Sequence, residues 1–258
     1  MEPLEYETLR RQEESFWWYR GLHRLIGDRV DASLNSIPPS PRGVQLLDAG
    51  CGSGGMLAHL ATRFGDRLDL TGIDVSPLAL RPAAERGVAR LARALVDRLP
   101  FADASFELIL SLDVLYHRAV SDDLAAVREL RRCLRPGGRL LLHLPAFESL
   151  RSAHDEAIHT ARRYRRRPLR ALLVRAGLTP HRVTYRNSVL FPALATVRAW
   201  RRRETGGSAP PPSDVRPLPP LVDGLLGSVL EVERRWLRWA DLPWGLSLLA
   251  EASRPADS

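Results

Sequence analysis

The chain has 258 residues, 45% of them hydrophobic, which suits a single α/β domain with a core of its own. Its net charge of +8 could indicate binding to nucleic acid. However, all 38 basic residues are arginine, a bias that is more typical of a GC-rich coding sequence than of selection for phosphate binding. The sequence has no signal-peptide pattern, no membrane span of roughly 18 apolar residues and no disulfide framework, so we expect a cytoplasmic protein.

An aromatic helical segment stands at the start of the chain. Residues 3–34 have the spacing of one or two helices, and the aromatic run FWWY at 16–19 precedes Arg20. Large aromatic side chains bury much apolar surface, so one interpretation packs these rings against the rest of the domain. The alternative is a segment that closes over a ligand.

A buried strand that runs into a glycine-rich turn follows at residues 44–55, VQLLDAGCGSGG. The apolar run 44–47 is typical of a strand buried on both faces of a parallel sheet, and residues 56–64 recover helical spacing. The glycines therefore precede a helix N-terminus, where backbone without a Cβ approaches a ligand closely. The spacing fits both the dinucleotide pattern GxGxxG and the pattern acid-x-G-x-G-x-G, and neither alone decides the ligand. These positions are Asp48, Gly50, Gly52, Gly54 and Gly55.

The second strand ends in a carboxylate. Asp74 follows the strand predicted at 68–73 and can accept hydrogen bonds from two ribose hydroxyls of a cofactor. Ser76 and Pro77 predict the N-cap and first residue of the next helix. Asp74 should therefore lie at the carboxyl end of its strand, where open α/β sheets bind ligands.

The remaining elements continue the alternation of strands and helices. Residues 106–112 predict the fourth strand, and the next helix would be capped by Ser121 and stabilised at its N-terminus by Asp122 and Asp123. Further along we expect strand five at 139–144, a helix at 168–176, strand six at 179–189 and a short last strand at 246–252.

Four ordered sequence blocks connect these elements to a known family. They are LLDAGCGSGG, GIDVSP, LPFADASFELILSLDVLYH and LRPGGRLLLHLP, spread over residues 46–145. With them the chain resembles the class I S-adenosylmethionine-dependent methyltransferases, in particular the small-molecule group with a type 11-like domain. A dinucleotide dehydrogenase would share only the first two blocks. The resemblance implies a Rossmann-like, seven-stranded, mostly parallel sheet with an antiparallel last strand and helices on both faces.

The resemblance also implies S-adenosylmethionine as cofactor, S-adenosylhomocysteine as product and a set of binding residues. The glycine loop would shape the methionine side, Asp74 would bind ribose, and Leu95 would flank adenine where the family usually has an acid. The aromatic start resembles the WWxRGR-like segment of the group, which implies that Arg20 faces the methionine carboxylate. The implied set is Trp17, Arg20, Asp48, Gly50, Cys51, Gly52, Gly54, Asp74, Val75, Leu95, Val96, Leu112 and His117.

The segment after strand five leaves the sheet over the implied active site. It resembles a bacterial subgroup whose segment here carries His154, Asp155, His159 and the RRY at 162–164. His154 and His159 are not at the i, i+4 spacing of a zinc pair, so we expect no metal site. We expect acceptor contacts from His143, His154, Asp155 and Tyr164.

Histidines supply the candidate general bases. Histidine titrates near neutrality and can accept a hydroxyl proton, so we consider His117, His154 and His159 for this role. The alternative is that Asp155 and Arg163 brace the segment by ion pairing and the histidines are bystanders. In-line placement of the acceptor can account for much of a methyl-transfer rate without any base.

Residues 190–244 predict a helical insertion. Helices at 193–203 and 221–240 flank a proline-rich loop at 203–220. The second helix has one apolar face that we expect to pack on the domain; a lid over a greasy substrate and a contact with a membrane surface are alternatives. That face consists of Val222, Leu225, Val229, Val232 and Trp236.

The whole pattern predicts one α/β methyltransferase domain over residues 1–258. We expect methyl transfer to a small molecule, at oxygen first and then at nitrogen or carbon, in bacterial secondary metabolism, by a monomer or homodimer. A non-catalytic methyltransferase-like partner protein and methylation of RNA or protein are the alternatives. Its parts would be a helical cap at 1–40, a cofactor-binding half at 41–145, a lid with strand six at 146–189, the insertion at 190–244 and the last strand at 245–252.

Overall fold

The fold is a seven-stranded sheet with helices on both faces. The computed structural model describes residues 16–37, 41–88, 90–151, 155–156, 158–192, 196 and 219–256. The strands are β1 Val44–Ala49, β2 Leu68–Asp74, β3 Arg90–Arg93, β4 Phe106–Leu112, β5 Leu134–Pro145, β6 Thr179–Arg186 and β7 Ser247–Ser253. The helices are α1 Trp17–Leu34, α2 Gly55–Phe64, α3 Pro77–Glu85, α4 Asp123–Cys133, α5 Arg166–Arg175 and α6 Pro220–Trp236.

The strand order is β3-β2-β1-β4-β5-β7-β6. β1 pairs in parallel with β2 on one side and with β4 on the other, whereas β7 lies antiparallel between β5 and β6. The order of parallel strands reverses beside β1, which opens a crevice at the carboxyl ends of β1 and β4, the usual ligand site of such sheets. The predicted fold class is confirmed.

Two apolar layers hold the sheet between its helices. Alternate residues of the central strands face opposite sides, so Leu46 and Leu108 join α1 and α2 in one core, while Leu47 and Ile109 join α4 and α5 in the other. All four of these leucine and isoleucine side chains are fully buried. The strands therefore require apolar residues on both faces, which is why they appear as continuous apolar runs in the sequence.

Several element ends differ from the sequence prediction. β6 ends at Arg186 rather than at residue 189, because Asn187 takes a left-handed φ of 60° and turns the chain out of the sheet. Asp122, not Ser121, caps α4, since its carboxylate accepts the N–H groups of Leu124 and Ala125. The helix expected at 193–203 and nearly all of the proline-rich loop lie outside the described residues. No helix in the described ranges is long and apolar enough to cross a membrane.

The insertion helix α6 packs through a different face from the predicted one. Leu230 and Glu233 are buried, and Asp223 and Arg234 form ion pairs with α1. The prediction that the apolar face packs on the domain is wrong. The contacts with α1 place a different face of α6 against the domain and leave the apolar face exposed to solvent. Exposed on that face are Val222, Leu225, Val232 and Trp236, at 41%, 65%, 66% and 59%.

Acid should destabilise the packing of α1 on α2 through His23. Its ring stacks on His59 with centroids 5.5 Å apart, and burial, followed by the nearby charges of His59 and Arg86, lowers the pKa of His23 to about 4. Between about pH 6.5 and pH 4 the unfolded chain binds a proton here that the folded chain does not. The free energy of unfolding should therefore fall by roughly 2–3 kcal/mol as the pH drops through this window.

Urea unfolding at both ends of the window measures this effect. His23→Gln should flatten the pH dependence, whereas the same substitution at the exposed His181 should leave it as it is. A wild-type protein equally stable at both pH values would contradict the assignment.

Candidate functional site

Three glycines shape the loop between β1 and α2. Gly50, Gly52 and Gly54 all have positive φ, at 103°, 54° and 80°. The N–H of Gly50 donates to the carbonyl of Ile73 at 2.9 Å, which closes the loop onto β2. A Cβ at Gly50 would lie 2.1 Å from a methyl carbon of Val114, so only glycine lets the loop pass beside the segment after β4.

Asp74 joins this loop to the end of β2. One carboxylate oxygen accepts the N–H of Gly52 at 3.0 Å, and the other accepts the N–H of Ser76 at 2.8 Å. Burial raises the pKa of the Asp74 carboxyl, and the backbone hydrogen bonds oppose that rise. A carboxylate has about four lone-pair sites, so both oxygens keep capacity for ribose hydroxyls after these two bonds.

Apolar side chains flank the crevice next to Asp74. Val75 and Leu95 are 41% and 42% exposed, although both are large and apolar, whereas Val96 is buried. Exposed aliphatic groups at this edge suit the two faces of an adenine ring. Asp48 lies on β1 and Cys51 in the glycine loop, and both are buried.

The aromatic helix α1 is tied to α6. The guanidinium of Arg20 forms an ion pair with Asp223, whose other carboxylate oxygen accepts the N–H of Trp17 at 3.1 Å. Asp223 thereby caps the start of α1. The Trp17 ring is buried, as the packing interpretation of the aromatic run predicts. Contact of Arg20 with a methionine carboxylate stays a prediction that would require this ion pair to be shared.

A polar chain lies at the carboxyl ends of β4, β5 and β6. Asp113 directly follows Leu112, the last residue of β4, and its carboxylate lies 2.9 Å from Nδ1 of His143 on β5. His143 is buried, and its Nε2 lies 3.5 Å from an Nη of Arg186 at the end of β6. Arg186 is also buried, with its guanidinium 5.4 Å from the ring of Trp18. The structure thus connects the loop after β4 to α1.

The segment after β5 is braced by a buried ion pair. Nε and Nη2 of Arg163 donate to the two carboxylate oxygens of Asp155 at 2.8 and 2.9 Å, and the side chains are 8% and 1% exposed. The hydroxyl of Tyr164 is buried and donates to the carbonyl of Leu115 at 3.1 Å. The ion pair gives Asp155 and Arg163 the bracing role that the sequence left as an alternative, and Tyr164 adds a hydrogen bond to the loop after β4.

Two of the three candidate base histidines lie together. The rings of His117 and His159 are 5.8 Å apart, and the carbonyl of His159 accepts the N–H of Arg118 at 2.9 Å. Nδ1 of His117 accepts the N–H of Ala119, and burial together with His159 lowers the pKa of His117. His159 is exposed. His154 lies outside the described residues.

Comparison with known families decides the interpretation of this site. Residues 47–142 match the model of a family described as a methyltransferase domain. These residues form a class I methyltransferase domain.

Named relatives of the methyltransferase domain act on varied molecules. The chain is 34% identical over 143 residues to the 27-O-demethylrifamycin SV methyltransferase of Amycolatopsis mediterranei, covering 48% of this chain and 51% of that one. It is 38% identical over 164 residues to the malonyl-[acyl-carrier protein] O-methyltransferase of Dechloromonas aromatica, covering 61% and 58%. The chain thus spans only about half of the length of these curated relatives.

Solved structures support the fold of the methyltransferase domain. A putative sarcosine dimethylglycine methyltransferase from Galdieria sulphuraria superposes with a TM-score of 0.57 at 17% identity, over 89% of this chain and 85% of that one. Identity this low shows the likeness of the fold alone.

The sequence by itself gives no role to two residues of the polar chain, Asp113 and Arg186. Asp113 stands in one of the blocks that carry the family resemblance, but the sequence assigns this residue no role of its own. Arg186 is one of 38 basic residues, and nothing in its local sequence distinguishes it from solvated arginines. Within the described ranges, no three metal-ligating side chains come together as a metal site.

Proposed function

We propose that this chain is an S-adenosylmethionine-dependent methyltransferase that acts on a small-molecule acceptor. The observation that carries the proposal is the carboxylate of Asp74, held against the N–H of Gly52 beside a loop that only glycines can form. Such an arrangement presents ribose-binding oxygens next to close-approach backbone. When bound, the cofactor would supply an activated methyl group on a sulfonium.

The chain's own residues would bind and orient the reactants. Asp74 would hold the ribose, Val75 and Leu95 would enclose the adenine, and the loop at Gly50–Gly54 would hold the methionine part. The end of β4 at Leu112 would then face the methyl group. His143 lies beside Leu112 on the neighbouring strand β5. The remaining predicted contacts are Trp17, Arg20, Asp48, Cys51, Val96 and His117 on the cofactor side and His154, His159, Asp155 and Tyr164 on the acceptor side.

The names of the relatives support a small acceptor methylated at oxygen. The two relatives described above match 48% and 61% of this chain, and the malonyl-[acyl-carrier protein] enzyme is named an O-methyltransferase. No observation favours a non-catalytic partner protein, since the glycine loop and Asp74 keep the geometry that a ribose-containing cofactor needs. We further propose a cytoplasmic, bacterial setting for the protein.

Calorimetric titration with S-adenosylhomocysteine tests the proposal. We expect micromolar binding, no comparable binding of NAD, and an affinity on the order of 30-fold lower in Asp74→Ala, because two hydrogen bonds to ribose are lost. Asp66→Ala, an exposed acid after α2, should bind as the wild type does. Wild-type protein that binds NAD but not S-adenosylhomocysteine would overturn the proposal.

A screen with methyl-labelled S-adenosylmethionine then identifies the acceptor. Phenols, hydroxy acids and amines cover the acceptor atoms oxygen and nitrogen. Label transfer to a small molecule, independent of added RNA or protein, is the expected result. Transfer to RNA that falls steeply with salt would instead favour a nucleic-acid substrate.

A further inference from the structure

Asp113 has an unusual backbone conformation beside the glycine loop. Its φ is 58°, in the left-handed region that side-chain-bearing residues rarely adopt. The next residue, Val114, lies against Gly50, closer than a Cβ would allow. Backbone strain of this kind persists where the surrounding structure requires it, and it concentrates at functional sites.

Two hydrogen bonds to one residue hold Asp113 in this conformation. Its N–H donates to the carbonyl of His143 at 2.8 Å, and Oδ2 of its carboxylate lies 2.9 Å from Nδ1 of the same residue. His143 is 1% exposed, whereas the Asp113 side chain is 36% exposed. One carboxylate oxygen is therefore fixed inside the protein while the group as a whole still reaches the crevice.

Arg186 determines which nitrogen of His143 carries the proton. A guanidinium has only donors, so the Nη1 group that lies 3.5 Å from Nε2 of His143 requires that nitrogen to accept. The proton of a neutral imidazole is then on Nδ1, where it donates to Asp113. Burial lowers the pKa of Arg186 to about 10, so it stays charged at neutral pH.

Arg186 itself is held by α1 and by the turn after β6. Its guanidinium lies against the Trp18 ring and donates to the Trp18 carbonyl at 3.5 Å. The buried carboxylate of Glu233 on α6 accepts the N–H groups of Asn187 and Ser188, at 2.5 and 2.7 Å, which fixes the chain just beyond Arg186. No carboxylate lies within ion-pairing distance of Arg186 among the described residues, and its charge interacts over a longer distance with the carboxylates of Glu233 and Asp113.

We propose that Asp113 is the general base of this methyltransferase and that His143 and Arg186 are positioning residues that orient its carboxylate. The inference rests on the proposed function. It replaces the histidine bases that the sequence suggests with a carboxylate that the tertiary structure holds at the end of β4.

With a hydroxyl acceptor, one methyl group and one proton change places in the proposed step. The acceptor oxygen forms a bond to the methyl carbon while the bond from that carbon to sulfur breaks and leaves its electron pair on sulfur. The hydroxyl proton passes to Oδ1 of Asp113, the oxygen not bonded to His143. Because the side chain is partly exposed, the proton then leaves to solvent and the carboxylate is restored.

Nitrogen-15 NMR of the histidine side chains tests the positioning role without turnover. In protein saturated with S-adenosylhomocysteine, His143 should be a neutral imidazole protonated on Nδ1. Arg186→Met should release Nε2 and shift the His143 signals, while the exposed control Arg81→Met should not. A His143 proton on Nε2 in the wild type would overturn the proposal.

Kinetics with matched phenols test the role of the carboxylate. For Asp113→Asn we expect kcat with phenol to fall about 100-fold to 10,000-fold, as removal of a general base does. With 4-nitrophenol, already ionised at mildly alkaline pH, the loss should be below about tenfold, because no proton has to be removed. A merely structural change would slow both acceptors alike.

Binding measurements on the same variants separate the two proposals. Asp113→Asn should bind S-adenosylhomocysteine within about threefold of the wild type, and Asp66→Asn should keep both binding and turnover. If Asp113→Asn binds normally and methylates phenol at the wild-type rate, the general-base assignment is wrong while the methyltransferase assignment stands. If the wild type binds no S-adenosylhomocysteine, both are wrong.

Discussion

Replacing Gly50 with alanine should abolish cofactor binding and strongly destabilise the fold. The new Cβ would lie 2.1 Å from a methyl carbon of Val114, and the φ of 103° disfavours any side chain. Overpacking and backbone strain each cost about 1–3 kcal/mol, so we expect a loss of roughly 3 kcal/mol or more in the free energy of unfolding. Affinity for S-adenosylhomocysteine should fall by at least about 100-fold, because the loop and the end of β4 must move apart.

Two further variants separate the steric clash from the backbone strain. Gly87 also has a positive φ, at 82°, but nothing lies within 4 Å of a Cβ placed there, so Gly87→Ala should cost only about 1 kcal/mol. Adding Val114→Ala to Gly50→Ala removes the clashing methyl groups and should restore part of the lost stability. Urea unfolding and calorimetry measure both effects. Equal costs for Gly50→Ala and Gly87→Ala would show that the contact with Val114 does not matter.

Replacing Arg163 with methionine should destabilise the protein by about 3–5 kcal/mol, since it leaves the carboxylate of Asp155 buried without its guanidinium. The pair is bidentate, with side chains 8% and 1% exposed. Arg163 also donates to the carbonyl of Ala146 at 2.9 Å, so its loss detaches the segment from the end of β5. Hydrogen exchange should become faster at residues 158–164, and urea unfolding should show the global loss.

A double variant tests whether the cost arises from the buried charge. Asp155→Leu combined with Arg163→Met removes both charges, and it should cost less than Arg163→Met alone, because no carboxylate is left in an apolar setting. The exposed pair of Arg81 and Glu85 is the control, and Arg81→Met should change stability by no more than about 0.5 kcal/mol. A double variant less stable than the single one would mean that packing, not charge, dominates.

The consequences of this ion pair extend to the proposed site. The segment after β5, which this ion pair braces, is hydrogen-bonded to the loop after β4. The N–H of Ala161 donates to the carbonyl of Tyr116 at 2.8 Å. That loop also carries Asp113. A loosened segment should therefore raise KM for the acceptor more than it changes affinity for S-adenosylhomocysteine, because Asp74 and the glycine loop, which are proposed to hold the ribose and the methionine part, lie on the β1 and β2 side.

The cofactor side of the site could be predicted from sequence because its determinants are local. The glycines at 50–54 stand between an apolar strand and a helix, and Asp74 closes the next strand directly before Ser76 and Pro77. Strand periodicity, the backbone demands of glycine and helix-start signals are all encoded within about ten residues. Parallel pairing of β1 with β2 then brings the two ends together without further information.

The orientation of α6 could not be predicted in the same way. Its apolar face has the helical spacing that usually packs on a core, and the prediction followed that rule. The helix instead uses Asp223 and Arg234, whose partners on α1 lie about 200 residues earlier in the chain. No periodicity within a helix reveals which distant charges it will meet.

By itself the sequence determined the α/β class, six of the seven strands, the glycine loop and the ribose-side acid, because each depends on patterns between near neighbours in the chain. Only the tertiary structure decided that Asp113, His143 and Arg186 form one hydrogen-bonded chain and that Arg163 forms a buried ion pair with Asp155. Such groups acquire partners, burial and altered pKa values only when separate strands and helices are packed side by side, since hydrogen bonds and ion pairs act over a few ångströms of space whatever the separation along the chain.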